Sequence, residues 1–128
     1  MTSPNTSGRF FGHSALLVED NDRLRRVLEM TLAEIGLEVT SADSGDSARE
    51  LLATGPCPTL LFSDIRMPGA LNGVQLAQWA RQHCPGLLVL LQTGYAEQGA
   101  LEFAVLRKPF TAEELVEAIE AVLAAGSA

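Results

Sequence analysis

The stretch Leu60-Leu61-Phe62-Ser63-Asp64, followed at once by Ile65-Arg66-Met67-Pro68-Gly69, constrains this chain more than any other. A short apolar run bounded by a proline-glycine break reads as a strand buried on both faces, the habit of parallel sheets covered by helices. Asp64 stands where that strand emerges. Open parallel sheets bind ligands in the crevice beyond the carboxyl ends of their strands, so an acid there is placed for chemistry. What the other strand ends deliver to the same edge decides the function.

Ala15 to Val18 forms a second short strand, and it also ends in acids, Glu19-Asp20-Asn21-Asp22. Asp22 is expected to cap the next helix, with Leu24, Val27, Leu28, Thr31 and Ile35 on its inner face and Gly36 as its stop. Leu37 to Ala42 reads as a strand, and Ala48, Leu51 and Leu52 as the core stripe of a short helix ahead of Gly55-Pro56. After the central strand, Asn72 or Gly73 opens a helix with Leu76, Ala77 and Ala80 inward and Trp79 at the edge of the stripe. That helix stops near Pro85-Gly86, where His83 favours the dipole. Leu87 to Leu91 runs into Gln92-Thr93-Gly94-Tyr95, and Ala104 to Leu106 into Arg107-Lys108-Pro109-Phe110. Thr111 and Glu114 make a capping box for the last helix, whose inner side carries Leu115, Ile119, Val122 and Leu123.

Strands alternating with helices imply an α/β fold, a doubly wound five-stranded parallel sheet of flavodoxin-like order 2-1-3-4-5. It would occupy residues 15–125, behind a flexible leader of residues 1–14 rich in Gly, Ser, Thr and Asn. Phe10, Phe11 and His13 fall in that leader; folding of the two phenylalanines back onto the domain stays open, and a lone histidine there is expected to be solvated rather than a ligand. The order brings strands one and three together, which places Glu19, Asp20 and Asp64 around one hollow with Thr93 and Lys108 at adjoining strand ends.

Composition narrows the function classes. A chain of 128 residues with 47% hydrophobic content is enough for one packed domain, and a net charge of −7 argues against a nucleic-acid surface. Cys57 and Cys84 belong to no metal-ligand cluster and read as free thiols of a reducing compartment. With no apolar run of membrane-spanning length and no signal-peptide pattern at the N-terminus, the expected location is the cytoplasm.

These residues, in this order and each at a strand end, resemble the receiver domain of bacterial two-component signalling. The resemblance spans Ser14 to Ala125. It implies that Glu19 and Asp20 are metal-binding acids, Asp64 the phosphoacceptor, Thr93 the switch hydroxyl, and Lys108 the lysine that precedes a cis proline, Pro109. It also implies that the backbone carbonyl of Arg66 completes the protein ligands of Mg²⁺. The partner would be a sensor histidine kinase or a histidine phosphotransfer domain, and the module no enzyme but a self-catalysed phosphoacceptor. Physical chemistry agrees with these roles. Two carboxylates about 4 Å apart repel by roughly 4 kcal/mol at an effective dielectric of about 20, so three in one hollow need a cation. Oxygen ligands that leave room for water and a phosphate oxygen suit Mg²⁺. An ionised Asp64 can then attack phosphorus in line, with the Lys108 ammonium and the Thr93 hydroxyl on phosphoryl oxygens.

Two departures from the family pattern matter. Thr93 and Lys108 are closer in sequence than is usual for receivers, by more than one helical turn, so the fourth helix is expected to be short or absent. Val105 stands where the family often has an aromatic residue. Other readings stay open: a docking domain that is not phosphorylated, or an aspartyl-phosphate phosphatase, although Arg66 occupies the position where such a phosphatase needs an acid. A flavodoxin-like FMN carrier would want glycines and hydroxyls after the first strand, where this chain has Glu19-Asp20-Asn21-Asp22. The chain suits either a stand-alone regulator or a receiver belonging to a hybrid kinase. Arg23, Arg25 and Arg26 suggest partner docking along the first helix, and the bulk of Arg66 and Tyr95 suggests a shielded, long-lived phosphoryl group.

Overall fold

The computed structural model describes residues 10–94 and 102–127. Its elements in chain order are β1 (Ser14–Val18), α1 (Asp22–Glu34), β2 (Glu38–Ala42), α2 (Gly45–Thr54), β3 (Leu60–Asp64), α3 (Gly73–His83), β4 (Leu88–Thr93), β5 (Ala104–Arg107) and α4 (Ala112–Ser127). All strand pairs are parallel, and the order is β2-β1-β3-β4-β5. This is the expected doubly wound sheet, and all five residues of β3 at its centre are buried.

Successive strand side chains point to opposite faces, and the sheet uses both. Leu16, Val18, Leu61, Val89 and Leu91 join Ala48 and Leu52 of α2 and Leu76, Ala77 and Ala80 of α3 in one core. Ala15, Leu17, Leu60, Phe62 and Leu90 join Leu28 and Leu32 of α1 and Leu115 and Ile119 of α4 in the other. β5 is the edge, and three of its four residues are exposed, Val105 among them at 39%.

Several expectations shift. Asn21, not Asp22, caps α1 by accepting from the Leu24 N–H, while Asp22 pairs with Arg25 at 2.7 Å. Val27 is 54% exposed and Leu32 takes the inward place, because Leu28 and Leu32, four apart, define the buried stripe. Leu51 is likewise 40% exposed beside the buried pair Ala48 and Leu52. Phe10, placed in the leader by its sequence context, is 2% exposed within the α1/α4 core, whereas Phe11 is 67% exposed. His13 lies at the sheet's lower edge, its Nδ1 3.3 Å from the Thr59 hydroxyl. Tyr95 and most of the interval in which a short or absent helix was expected lie outside the described residues.

The two cysteines overturn the expectation of free thiols. Cys57 and Cys84 form a disulfide that ties the lead into β3 to the end of α3. Nothing in a spacing of 27 residues reveals that the C-cap of α3 returns beside the segment before β3. Cys84 is buried in the α2/α3 core, while Cys57 is exposed. The other end of α3 is fixed by a close approach. Gly73 donates its N–H to the Ile65 carbonyl at 2.8 Å, and a Cβ on it would lie 2.2 Å from the Asp64 carbonyl oxygen.

Two stability predictions follow from the anchoring of α3. Closing a loop of this length is worth about 3–4 kcal/mol by chain entropy. Reduction should therefore lower the unfolding free energy by about that amount, read as a fall in the urea midpoint, and an unchanged midpoint would contradict the tether. Gly73→Ala should cost about 2 kcal/mol or more, because the methyl group meets backbone. A neutral result in the same denaturation measurement would show that α3 is free to move back.

Candidate functional site

The site is assembled where β1, β3, β4 and β5 end. Val18 pairs with Ser63, so Glu19 follows β1 directly beside Asp64 at the end of β3. Asp64 in turn pairs with Gln92 on β4, and Thr93 with Arg107 on β5, one residue before Lys108. Strand register alone thus brings residues far apart in sequence to one edge.

Glu19 is 1% and Asp64 6% exposed, whereas Asp20 is exposed. Carboxylate oxygens of all three lie within 4.8 Å of one another. The Glu19 carboxylate is held on both oxygens: Oε2 accepts from the Asn21 N–H and Oε1 from Gln92 Nε2, each at 3.1 Å. Asn21 therefore serves twice, capping α1 and fixing Glu19. Arg25 braces the same turn, donating to the Glu19 carbonyl at 2.9 Å and to Asp22. Burial pushes the Glu19 carboxyl above the ordinary carboxylate value, with the charges of Asp64 and Asp20 adding to that effect and the Asn21 N–H and Lys108 opposing it.

Asp64 accepts from Lys108 Nζ at 2.7 Å on Oδ2 and from the Arg66 N–H at 3.3 Å on Oδ1. The Arg66 side chain is exposed. Lys108 is positioned through its backbone, since its N–H donates to the Thr93 carbonyl at 2.8 Å, and the Lys108–Pro109 peptide is cis. Thr93, 3% exposed, ends β4 next to this pair. The sequence-predicted residues Glu19, Asp20, Asp64 and Lys108 thus share one hollow, with Thr93 at its rim and Arg66 joined to it through the main chain.

These residues fit a small hard cation. Three carboxylates face a single ammonium, the donors are all oxygen, and two of the three acids are buried. Gln92 is a part of the hollow that strand pattern alone does not reveal. Gln92 is fully buried, and its Oε1 has no hydrogen-bond partner among the described residues. A buried orphan acceptor costs about 1–3 kcal/mol, so an amide at this point of the core needs a reason. The sequence signal for it is an amide that directly follows the four apolar residues Leu88 to Leu91.

Comparison with known proteins places this geometry. Residues 15–120 match the family model described as the response regulator receiver domain. The response regulator receiver protein CpdR of Brucella abortus is 38% identical over 117 residues, covering 86% of this chain and 96% of CpdR. The DNA-binding transcriptional regulator NtrC of Klebsiella pneumoniae is 35% identical over 115 residues, covering 83% of this chain and 24% of NtrC. The chain therefore spans about a quarter of the length of that regulator. Among solved structures, a response regulator receiver protein from Sinorhizobium medicae superposes with a TM-score of 0.82 at 30% identity, covering 89% of this chain and 96% of that one. The response regulator TrrA of Thermotoga maritima, solved in complex with Mg²⁺ and BeF, gives 0.77 at 26% identity, covering 86% and 98%. Five strands in the order 2-1-3-4-5, an acidic strand-end hollow braced by a lysine, and a family match over most of the length lead to one conclusion: the chain belongs to the response regulator receiver domain family.

Proposed function

We propose that this receiver takes a phosphoryl group from the phosphohistidine of a sensor histidine kinase or a phosphotransfer domain onto Asp64, with Mg²⁺ held by Glu19, Asp20, Asp64 and the Arg66 carbonyl. The observation that carries this reading is the juxtaposition of three carboxylates within 4.8 Å with an ammonium 2.7 Å from the buried one at the centre. Bound Mg²⁺ would neutralise charge on the transferring group. An Asp64 carboxylate oxygen forms the new P–O bond as the P–N bond to imidazole breaks, and the electron pair leaves with the ring nitrogen. Lys108 moves from Asp64 to a phosphoryl oxygen, and the Thr93 hydroxyl donates to another. The chain acts as a phosphoacceptor and not as an enzyme with turnover, because the acyl phosphate stays on its own residue until water removes it.

The donor has an approach surface. Leu24, Val27 and Thr31 of α1 face Pro109, Phe110 and Ala112 across a groove of about 400 Å³, with Lys108 at its inner end. Arg23 and Arg26 are exposed nearby, whereas Arg25 is occupied with the Glu19 turn. A helix of the donor lying in this groove would carry its histidine towards Asp64. We place the protein in the cytoplasm on the strength of this donor. The cysteines no longer support that location, since disulfides are rare in reducing compartments.

Incubation with acetyl phosphate should add one phosphoryl group to the parent only when Mg²⁺ is present, and none to Asp64→Asn. Labelling of the variant by mass spectrometry would overturn the assignment. Val27→Asp should slow transfer from a cognate kinase about tenfold or more, the size of a lost contact worth about 1.4 kcal/mol, and leave acetyl phosphate labelling unchanged. Equal rates from the kinase would remove the groove from the account.

A pH dependence follows from Glu19. Its carboxyl is raised above 4.5 in the folded chain, so the folded state binds the proton more tightly than the unfolded state does. That contribution to stability is fully present below 4.5 and is lost as the pH rises through the folded value. In chelator, the stability of the parent relative to Glu19→Gln should fall between pH 4.5 and neutrality. Saturating Mg²⁺ should reverse the slope, because the metal takes the ionised form. A parent whose metal-free stability instead rises relative to the variant would contradict the raised carboxyl.

A further inference from the structure

Gln92 is the one fully buried amide side chain among the described residues, and the phosphotransfer chemistry above makes no use of it. Three facts bear on what it does. It pairs with Asp64 across β3 and β4, so the two side chains leave the sheet on the same face. Its Nε2 donates to Glu19 Oε1 at 3.1 Å, while its Oε1 is buried without a partner. It also lines the inner end of the α1 groove, next to Lys108. The four strand residues before it are Leu88, Val89, Leu90 and Leu91, and a leucine or methionine at this position would pack at no polar cost.

We propose that Gln92 is a positioning residue that fixes the orientation of the Glu19 carboxylate and thereby sets how tightly the hollow takes Mg²⁺. The Asn21 N–H and Gln92 Nε2 grip one carboxylate oxygen each, which fixes the plane of the group and leaves the remaining lone pairs directed to the hollow. With only the Asn21 contact, the Glu19 side chain could rotate about its last torsion, which is broad for a carboxylate. Groups that orient a metal ligand in this way alter metal affinity by about 10–100-fold when removed, without touching the metal. The orphaned Oε1 is the cost of presenting Nε2 to Glu19, since an amide turned the other way would set oxygen against oxygen. This inference rests on the reading that Glu19 is a Mg²⁺ ligand.

The test is calorimetric titration of Mg²⁺ into the parent, Gln92→Met and Leu90→Met, with thermal unfolding in chelator alongside. Methionine keeps the volume of glutamine and removes both the donor and the orphaned acceptor. Gln92→Met should bind Mg²⁺ about tenfold or more weakly while still unfolding cooperatively in chelator. Leu90→Met, a change in the same core and strand, should bind as the parent does. Equal Mg²⁺ affinity of the parent and Gln92→Met overturns the inference and leaves the metal reading standing. A parent that does not bind Mg²⁺ overturns the metal reading itself. A second measurement needs no variant: in a Mg²⁺ titration of the ¹⁵N-labelled parent, the Gln92 side-chain amide should shift and saturate together with the Asp64 backbone amide. An unmoved Gln92 side chain beside a moving Asp64 would equally overturn it.

Discussion

Crowding of like charge at the strand ends is the constraint on which this molecule depends. Glu19 and Asp64 are both buried and lie within 4.8 Å of each other, a repulsion of about 3 kcal/mol or more at an effective dielectric near 20. The fold must hold them there against that repulsion. It does so with main-chain N–H groups of Asn21 and Arg66, with the Gln92 amide, and with one ammonium from Lys108. None of these is enough to neutralise three acids, and the residual charge is what the proposed divalent cation would balance.

The scaffold is arranged to keep that hollow rigid. β3 is buried along its whole length, and α3 is fixed at both ends, by the close contact of Gly73 with the Asp64 carbonyl and by the disulfide at Cys84. α1 is joined to the site through its first turn, where Asn21 caps the helix and fixes Glu19 at once. On the β5 side the hold is the parallel pairing of β5 with β4, the main-chain hydrogen bond from Lys108 to Thr93 and the ion pair of Lys108 with Asp64. The side of the site towards α1 and α3 is anchored from both ends of α3 and the first turn of α1, while β5 is the exposed edge of the sheet.

Much of this was legible in the sequence because it is carried by local pattern. Continuous apolar strands, the capping box of Thr111 and Glu114, the stop at Gly36 and the acids at two strand ends each have a local physical cause. What was not legible depends on contacts between distant segments. The pairing of Cys57 with Cys84 needs the return of α3 beside the lead into β3. The inward turn of Leu32 in place of Val27 depends on where α1 docks, and the burial of Phe10 on a core that forms only when α1 and α4 meet. Gln92 was visible as a letter, but its role exists only in the register that pairs it with Asp64 and lets its side chain reach Glu19.

The central claim is that the crowded carboxylates, Thr93 and Lys108 form a single site for Mg²⁺ and a phosphoryl group. A crystal structure of the chain with Mg²⁺ and beryllium fluoride tests it most directly. The account predicts the metal on oxygens of Glu19, Asp20, Asp64 and the Arg66 carbonyl, the beryllium on an Asp64 oxygen, and fluorides on Thr93 and Lys108, with Lys108 drawn away from Asp64. A cation bound elsewhere, or an Asp64–Lys108 pair left unchanged at 2.7 Å under saturating ligand, would contradict it.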